Sequence, residues 1–183
     1  MFSNPVQPGR YTAELSDDGV VVFLIGMRFN HWWRIDKWWF ILTGMARMLR
    51  YLDRGDAGLL QSRYWFGRTL ILVQYWRSMD ELMAFASDSQ APHARTWREF
   101  NQRVGNDGSV GIYHETFQVL PGNSEAMYVN MPVFGLGGAL GPVPVDRSRD
   151  TARQRLARQR RAERVAAQPD GVDDVGARGT QTG

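Results

Sequence analysis

The chain predicts an α+β fold of the ferredoxin-like β-α-β-β-α-β kind, four antiparallel strands with helices on one face, and three features carry that reading. Residues 19–27 and 69–76 are β-branched and apolar on both faces, as central strands covered from two sides are. Between them Trp38, Leu42, Met45, Leu49 and Leu52 step by 4, 3, 4 and 3, a helical stripe. The remaining segments complete the order strand, helix, strand, strand, helix, strand.

Residues 1–17, with two prolines and mixed polarity, read as a lead-in. The first strand follows an Asp-Asp-Gly turn. Asp36 is the expected N-cap of the first helix, and Gly55 ends it. Residues 59–66 and 69–76 form a hairpin closed at Gly67-Arg68, with Gly67 expected at positive φ. Ser78 and Glu81 have the spacing of a capping box, opening a helix through Leu82, Met83, Phe85 and Ala86. That helix breaks near 88–92, and a second one opens at His93 and ends at Gly105. Residues 109–120 are the fourth strand, closed by Pro121-Gly122, and 125–130 a short fifth. Helices on one sheet face leave the other apolar face bare. A second copy packed across a two-fold axis would cover it, so a homodimeric α+β barrel is expected.

The domain spans 18–145 and ends in an aperiodic Gly- and Pro-rich arm. Residues 146–183 read as an Arg-rich, largely disordered tail, in which 146–167 could form a helix that exposes almost everything and 168–183 are expected to be disordered. Nine arginines and six acids lie there, leaving 13 bases and 13 acids in 1–145. A neutral body gives no footprint for nucleic acid, so none is expected as a partner of the folded domain. The absence of cysteine excludes disulfides, thiolate catalysis and Cys-held metal centres. No secretory signal is apparent, and the longest apolar stretch, 38–49, is too short to span a bilayer. A cytoplasmic protein without a membrane partner is the expectation. No metal site is expected either, since the three histidines lack His-x-His or His-x-x-x-His spacing. Gly135-Leu-Gly-Gly lies between no strand and helix, and no Gly-x-Ser-x-Gly elbow exists.

His93, Trp97, Arg98 and Asn101 fall at i, i+4, i+5 and i+8, one broad face of a helix. An imidazole, an indole, a guanidinium and a carboxamide together are unlike a packing stripe and point to a small-molecule pocket. The alternative is a helix start that happens to hold His and Arg. His114 alternates with Ile112 and Thr116, while Tyr113, Glu115 and Phe117 point the other way. His114 and Glu115 therefore form no simple dyad, and either face could line the pocket. His31 sits in a Trp-rich loop without a clear partner. Trp76 and Trp97 are the pocket candidates among seven tryptophans, whereas Trp38 and Trp39 read as packing. Asn30, at a strand end, could bind an oxygenated ligand or simply make a turn.

Gln61-Ser-Arg-Tyr-Trp, Gln74-Tyr-Trp-Arg-Ser, His93-Ala-Arg-x-Trp-Arg-x-Phe-Asn, Ile112-Tyr-His-Glu-Thr-Phe and Tyr128-x-Asn-Met-Pro together resemble a bacterial and fungal family. It is a domain-of-unknown-function family grouped with antibiotic-biosynthesis-type monooxygenases in the dimeric α/β-barrel superfamily. The resemblance covers about 10–140 and implies a ferredoxin-like dimer and oxygenase-type chemistry. Some members of the superfamily are cofactor-free and let an electron-rich substrate anion reduce O2. Others bind haem through a helix histidine, and His93 is placed broadly like that ligand. The expected cofactor is therefore none or haem. Expected catalytic residues are His93, Arg98, His114 and Glu115, with Asn30, Trp76, Trp97, Asn101, Tyr128 and Asn130 binding substrate. Three functions stay open: a monooxygenase-like enzyme for an apolar or polyketide-like substrate, a haem enzyme, and a non-enzymatic binding barrel.

Overall fold

The computed structural model describes residues 5–166. A four-stranded antiparallel sheet is built from β2 (Val20–Phe29), β3 (Leu59–Trp65), β4 (Thr69–Trp76) and β5 (Val110–Val119), in the order β3-β4-β2-β5. Helices α1 (Ile35–Arg54), α2 (Met79–Ser87) and α3 (Pro92–Arg103) make the crossovers. That connectivity and strand order are the ferredoxin-like fold.

The pleat sorts the strand side chains into two faces. Toward the helices point Val21, Phe23, Ile25 and Met27 of β2, paired with Trp76, Gln74, Leu72 and Leu70 of β4. Ile112, His114 and Thr116 of β5 continue the rows beside Met27, Ile25 and Phe23. Helix α1 sets Ile41, Gly44, Met48 and Leu52 against them as its buried line. The stripe read from the sequence flanks that line, with Trp38, Leu42, Met45 and Leu49 half-buried around two core clusters. Helices α1 and α3 meet closely at Gly44. A Cβ there would come within 2.3 Å of the Thr96 hydroxyl.

Local expectations fail at two turns. Arg34, not Asp36, is the N-cap of α1 and makes no side-chain cap. Asp36 sits inside the first turn, where its charge favours the helix N-terminus, and takes hydrogen bonds of 3.0 and 2.9 Å from Arg34. Gly67 is not among the glycines at positive φ. The hairpin closes through the longer link 66–68, which does not need that conformation. The Ser78 cap forms, its Oγ accepting the Glu81 N–H at 3.2 Å.

The second sheet face is covered in part by the chain itself. The arm beyond β6 (Tyr128–Val129) carries α4 (Gly135–Leu140) onto β3 and β4. There Phe134 meets Trp65 edge-on at 6.0 Å. Gly138 lies so near Gln61 that a Cβ would sit 1.8 Å from its amide nitrogen. The lead-in is likewise structured: β1 (Arg10–Thr12) pairs with β6 and β7 (Val143–Pro144) in a second, small sheet. Tyr11 and Thr12 are buried there, and Tyr11 stacks on Tyr128 at 4.7 Å. Residues 125–130 thus supply an edge of this small sheet, not a fifth strand of the main one.

In the Arg-rich tail the helix expected within 146–167 is present, but it does not expose almost everything. Residues Ala152–Ala166 form α5, whose Arg155 and Gln159 are buried. Arg155 pairs with Glu125, and Gln159 Oε1 accepts the Gly122 N–H at 3.0 Å. Buried polar groups need such partners, and here the partners come from the turn after β5. Residues 167–183 lie outside the described ones. No helix of the described residues is long and apolar enough to cross a membrane.

At the other end of the sheet, Lys37 at the start of α1 pairs with Asp107 at 2.8 Å, and Asp107 also accepts from the Ser109 N–H and hydroxyl. The Lys37 ammonium first, then the Ser109 donors, hold the Asp107 carboxyl well below the usual carboxylate range. A depressed folded-state pKa gives stability that is full above the unfolded value, near 4, and lost as pH falls toward the folded one. Asp107→Asn is therefore expected to lower the melting temperature at pH 7. The gap to the parent should narrow steadily below about pH 4, which thermal melts across the acid range will show.

Candidate active site

Between the helix-side face of the sheet and α1–α3 lies a cavity of about 700 Å³, within the range of small-molecule sites. Its walls are apolar: Phe23, Ile25 and Met27 below, Ile41, Met45 and Met48 to one side, Leu82, Phe85, Phe100 and Ile112 around them. Among these stand an amide and two imidazoles on three different elements, Gln74 of β4, His93 of α3 and His114 of β5, with the hydroxyl residues Thr96 and Thr116. Polar residues Ser87, Asp88, Ser89 and Arg98, with Met83 and Trp97, also border it.

Gln74 is 1% exposed. Its Oε1 accepts the Trp76 indole N–H at 3.1 Å. Because an indole can only donate, the amide is fixed with Oε1 toward Trp76. Its Nε2 is left as a buried donor with no hydrogen-bond partner. Such a group costs roughly 1–3 kcal/mol in a folded protein.

His93 is oriented by the backbone. One ring nitrogen, Nε2, lies 3.1 Å from the Ala86 carbonyl. A carbonyl only accepts, so Nε2 carries a proton, and in the neutral ring Nδ1 holds the lone pair. Nδ1 is buried without a partner. The ring rests on Phe85 at 4.8 Å, and Phe85 on Trp76 at 5.4 Å. Trp76 thus braces both polar groups, Gln74 by a hydrogen bond and His93 through Phe85. His114 stands on β5 beside Ile25 and leans on Phe23 at 5.9 Å. It is two strand spacings from β4, about 10 Å across the sheet.

Of the residues picked from the sequence, His93, Trp97, Arg98 and His114 line the cavity. Trp97 is half-exposed and stacks on Phe100 at 5.6 Å. Trp76 is fully buried behind the wall. Asn101 is exposed and not part of the lining. Glu115 pairs with Leu24 on the opposite sheet face. Asn30 donates from Nδ2 to the Gly108 carbonyl at 3.0 Å, holding a loop. Asn130, at φ 51°, accepts the Gly9 N–H at 2.9 Å. Tyr128 stacks on Tyr11 in the small sheet. The last four serve the backbone or the far face, remote from the cavity.

Gln74 is the residue that sequence reasoning overlooked. Its signal was present: one carboxamide within an otherwise apolar strand, on the same parity as Leu70, Leu72 and Trp76. A polar side chain there must be buried, and burial demands a reason.

Residues 20–136 match the family model described as monooxygenase af470-like. The chain belongs to the monooxygenase af470-like family. The matched segment contains the whole four-stranded sheet, α1–α3 and the cavity. Monooxygenase af470 of Aspergillus fumigatus is 30% identical over 158 residues, covering 80% of this chain and 54% of that protein. The chain thus spans about half the length of this curated relative. Among solved structures, a conserved protein of Methanosarcina mazei is similar at 6% identity and a TM-score of 0.41, over 56% of this chain and 96% of that one. A Lactobacillus acidophilus protein, described as a candidate monooxygenase, shares 12% identity at a TM-score of 0.40, over 77% and 56%. The fold of this af470-like chain rests on its own strand order, not on those scores.

The geometry sets what His93 contributes to stability. It is half-buried and makes one hydrogen bond and one ring contact, so it is more than a surface helix start. His93→Ala is expected to cost about 1–2 kcal/mol in denaturant unfolding. Loss of the Ala86 bond and of packing on Phe85 are the two causes.

Proposed function

We propose that this af470-like protein is a cofactor-independent monooxygenase acting on a flat, apolar, polyketide-like substrate held in the cavity between the sheet and α1–α3. The observation that carries this reading is the pair formed by a buried amide donor, Gln74 Nε2, and an oriented histidine, His93, in one apolar cavity. Gln74 donates to a carbonyl or phenolate oxygen of the substrate. His93 Nδ1 takes the proton from an activated ring methylene. In an apolar, water-poor site, a preorganised donor favours the oxygen-centred anion that results. Arg98, at the cavity border, adds positive charge on the same side. His114 faces the substrate from β5 as a second hydrogen-bonding group.

The carbanion so formed reduces O2 and a C–O bond closes to a hydroperoxide. Cleavage of its O–O bond, with loss of the remaining hydrogen on that carbon, then leaves a ketone. In sum, one ring methylene and one molecule of O2 become one carbonyl and one molecule of water. The substrate supplies all the electrons. The first proton taken by His93 goes to the peroxide oxygen, and the second, taken from the same carbon as the O–O bond breaks, goes to the departing hydroxide.

Haem does not fit the residues present. The free nitrogen of His93 is Nδ1, beside its own backbone and buried against Phe85. An iron held there would press a whole macrocycle against that packing, where a substrate methylene brings a single C–H bond. An electron-rich anthrone supplied with O2 and no added reductant should be oxidised, with oxygen consumed mole for mole. Gln74→Leu and His93→Ala are each expected to lower kcat/KM by about 10²-fold or more. His31→Ala, far from the cavity, should leave it unchanged. Oxidation that survives both cavity variants overturns the reading.

We further propose that a second copy covers what the arm leaves bare. Val22 and Leu24 of β2 and Tyr113 and Phe117 of β5 share the second sheet face, beyond the reach of α4 on β3 and β4. Leu24→Asp with Phe117→Asp is expected to convert a dimer to a monomer in light scattering, while circular dichroism remains that of the parent.

A further inference from the structure

Far from the tail helix, at the end of the sheet where β2 stops and β3 turns into β4, an aromatic surface faces solvent. Trp32, Trp33 and Trp39 are 67%, 61% and 59% exposed, and Phe66 in the β3–β4 turn is 67% exposed. They form one patch. Trp33 touches Trp32 at 6.1 Å, and the Trp32 carbonyl accepts the Trp38 indole N–H at 3.0 Å. Trp38 meets Trp39 at 6.2 Å and Phe29 at 4.9 Å, and Phe29 meets Phe66 at 6.0 Å. Sequence reasoning assigned Trp39 to the core; the structure puts it outside. Large exposed aromatic patches mark contact with something apolar.

The rim is cationic. Lys37 and Arg34 are paired with Asp107 and Asp36. Arg28 donates at 2.9 Å to the Thr69 hydroxyl, and among the described residues neither it nor exposed Arg68 has an acidic partner. Indoles beside arginines on adjoining turns suit the boundary between acyl chains and anionic headgroups. There an indole buries its ring and keeps its N–H in the polar layer.

We infer that this end of the molecule docks on the surface of an anionic phospholipid bilayer, with Trp32, Trp33, Trp39 and Phe66 entering the interface and Arg28 and Arg68 meeting the headgroups. A second copy suits the patch less well, because a two-fold contact would bring the same uncompensated arginines face to face. Single-stranded nucleic acid also suits it less well. Stacking of bases needs open ring faces, whereas Trp32 and Trp33 pack edge to face at 81°. The inference stands apart from the chemistry of the cavity.

Flotation of the full chain with vesicles tests it. The protein should rise with vesicles of phosphatidylcholine and phosphatidylglycerol, and less with phosphatidylcholine alone or in high salt. The combined substitution Trp32→Ser, Trp33→Ser and Trp39→Ser is expected to weaken partitioning at least about tenfold. These side chains are exposed, so the melting temperature and the oligomeric state should hold. Arg28→Glu with Arg68→Glu should weaken binding to the anionic vesicles selectively. Arg161→Glu with Arg164→Glu, on α5 at the other end, should change nothing. Absence of flotation with either vesicle overturns the inference, as does flotation indifferent to the tryptophans. Loss of the dimer in the tryptophan variant would reassign the patch to a second copy. Oligonucleotide binding without vesicle binding would reassign it to nucleic acid.

Discussion

The two central strands have no face to give to water, and the rest of the molecule is arranged around that constraint. β2 and β4 carry apolar side chains on both parities, so leaving either face bare would cost about 25 cal/mol for every Å² of apolar surface exposed. Three helices cover one side. On the other, the arm 128–145 folds back over β3 and β4 with glycines where it comes closest. The small sheet of β1, β6 and β7 and the buried Tyr11 exist because that arm must be tied to something. Helix α5 in turn closes over the turn after β5.

The same constraint explains why the cavity is conspicuous. A layer packed against an unbroken apolar sheet face has no use for a carboxamide, yet Gln74 stands in its middle with one nitrogen unpartnered. Trp76 holds that amide in one orientation and, through Phe85, steadies the ring of His93. Structural support and polar presentation thus come from one strand. Its even-numbered residues face the helices, Gln74 among them lining the cavity, and its odd-numbered ones, Val73 and Tyr75, face the other way.

Much of this was legible in the sequence, for reasons that differ between elements. Strands and helices were set by local periodicity, so the β-α-β-β-α-β order and the Ser78 cap could be read directly. His93, Trp97 and Arg98 share a helix face, and helical geometry alone brings them together. His114 could be assigned a parity but not a face, because that depends on which side the helices pack. The second face of the sheet was legible only in part for a related reason. A Gly- and Pro-rich arm has no period, so its return over β4 in cis could not be told from cover by a second copy. Asn30, Tyr128 and Asn130 looked like ligand groups because asparagine and tyrosine bond anything polar, and here their partners are backbone or another ring. The buried arginine of α5 was hidden by its neighbours, since the arginines of one helix look alike until Glu125 selects Arg155.

Gly44 has a consequence for the width of the cavity. It and Thr96 both line that space, and the missing methyl at 44 is what lets α1 and α3 close to their present spacing. The gap between the helices is therefore gauged by a single side chain. An alanine there would act as a shim, prying the first turns of α3 outward and carrying His93, Trp97 and Arg98 away from the sheet floor. Gln74, rooted in β4, would stay behind. One atom at a helix crossing would then set how thick a molecule can be gripped between donor and base, without altering any group that touches it.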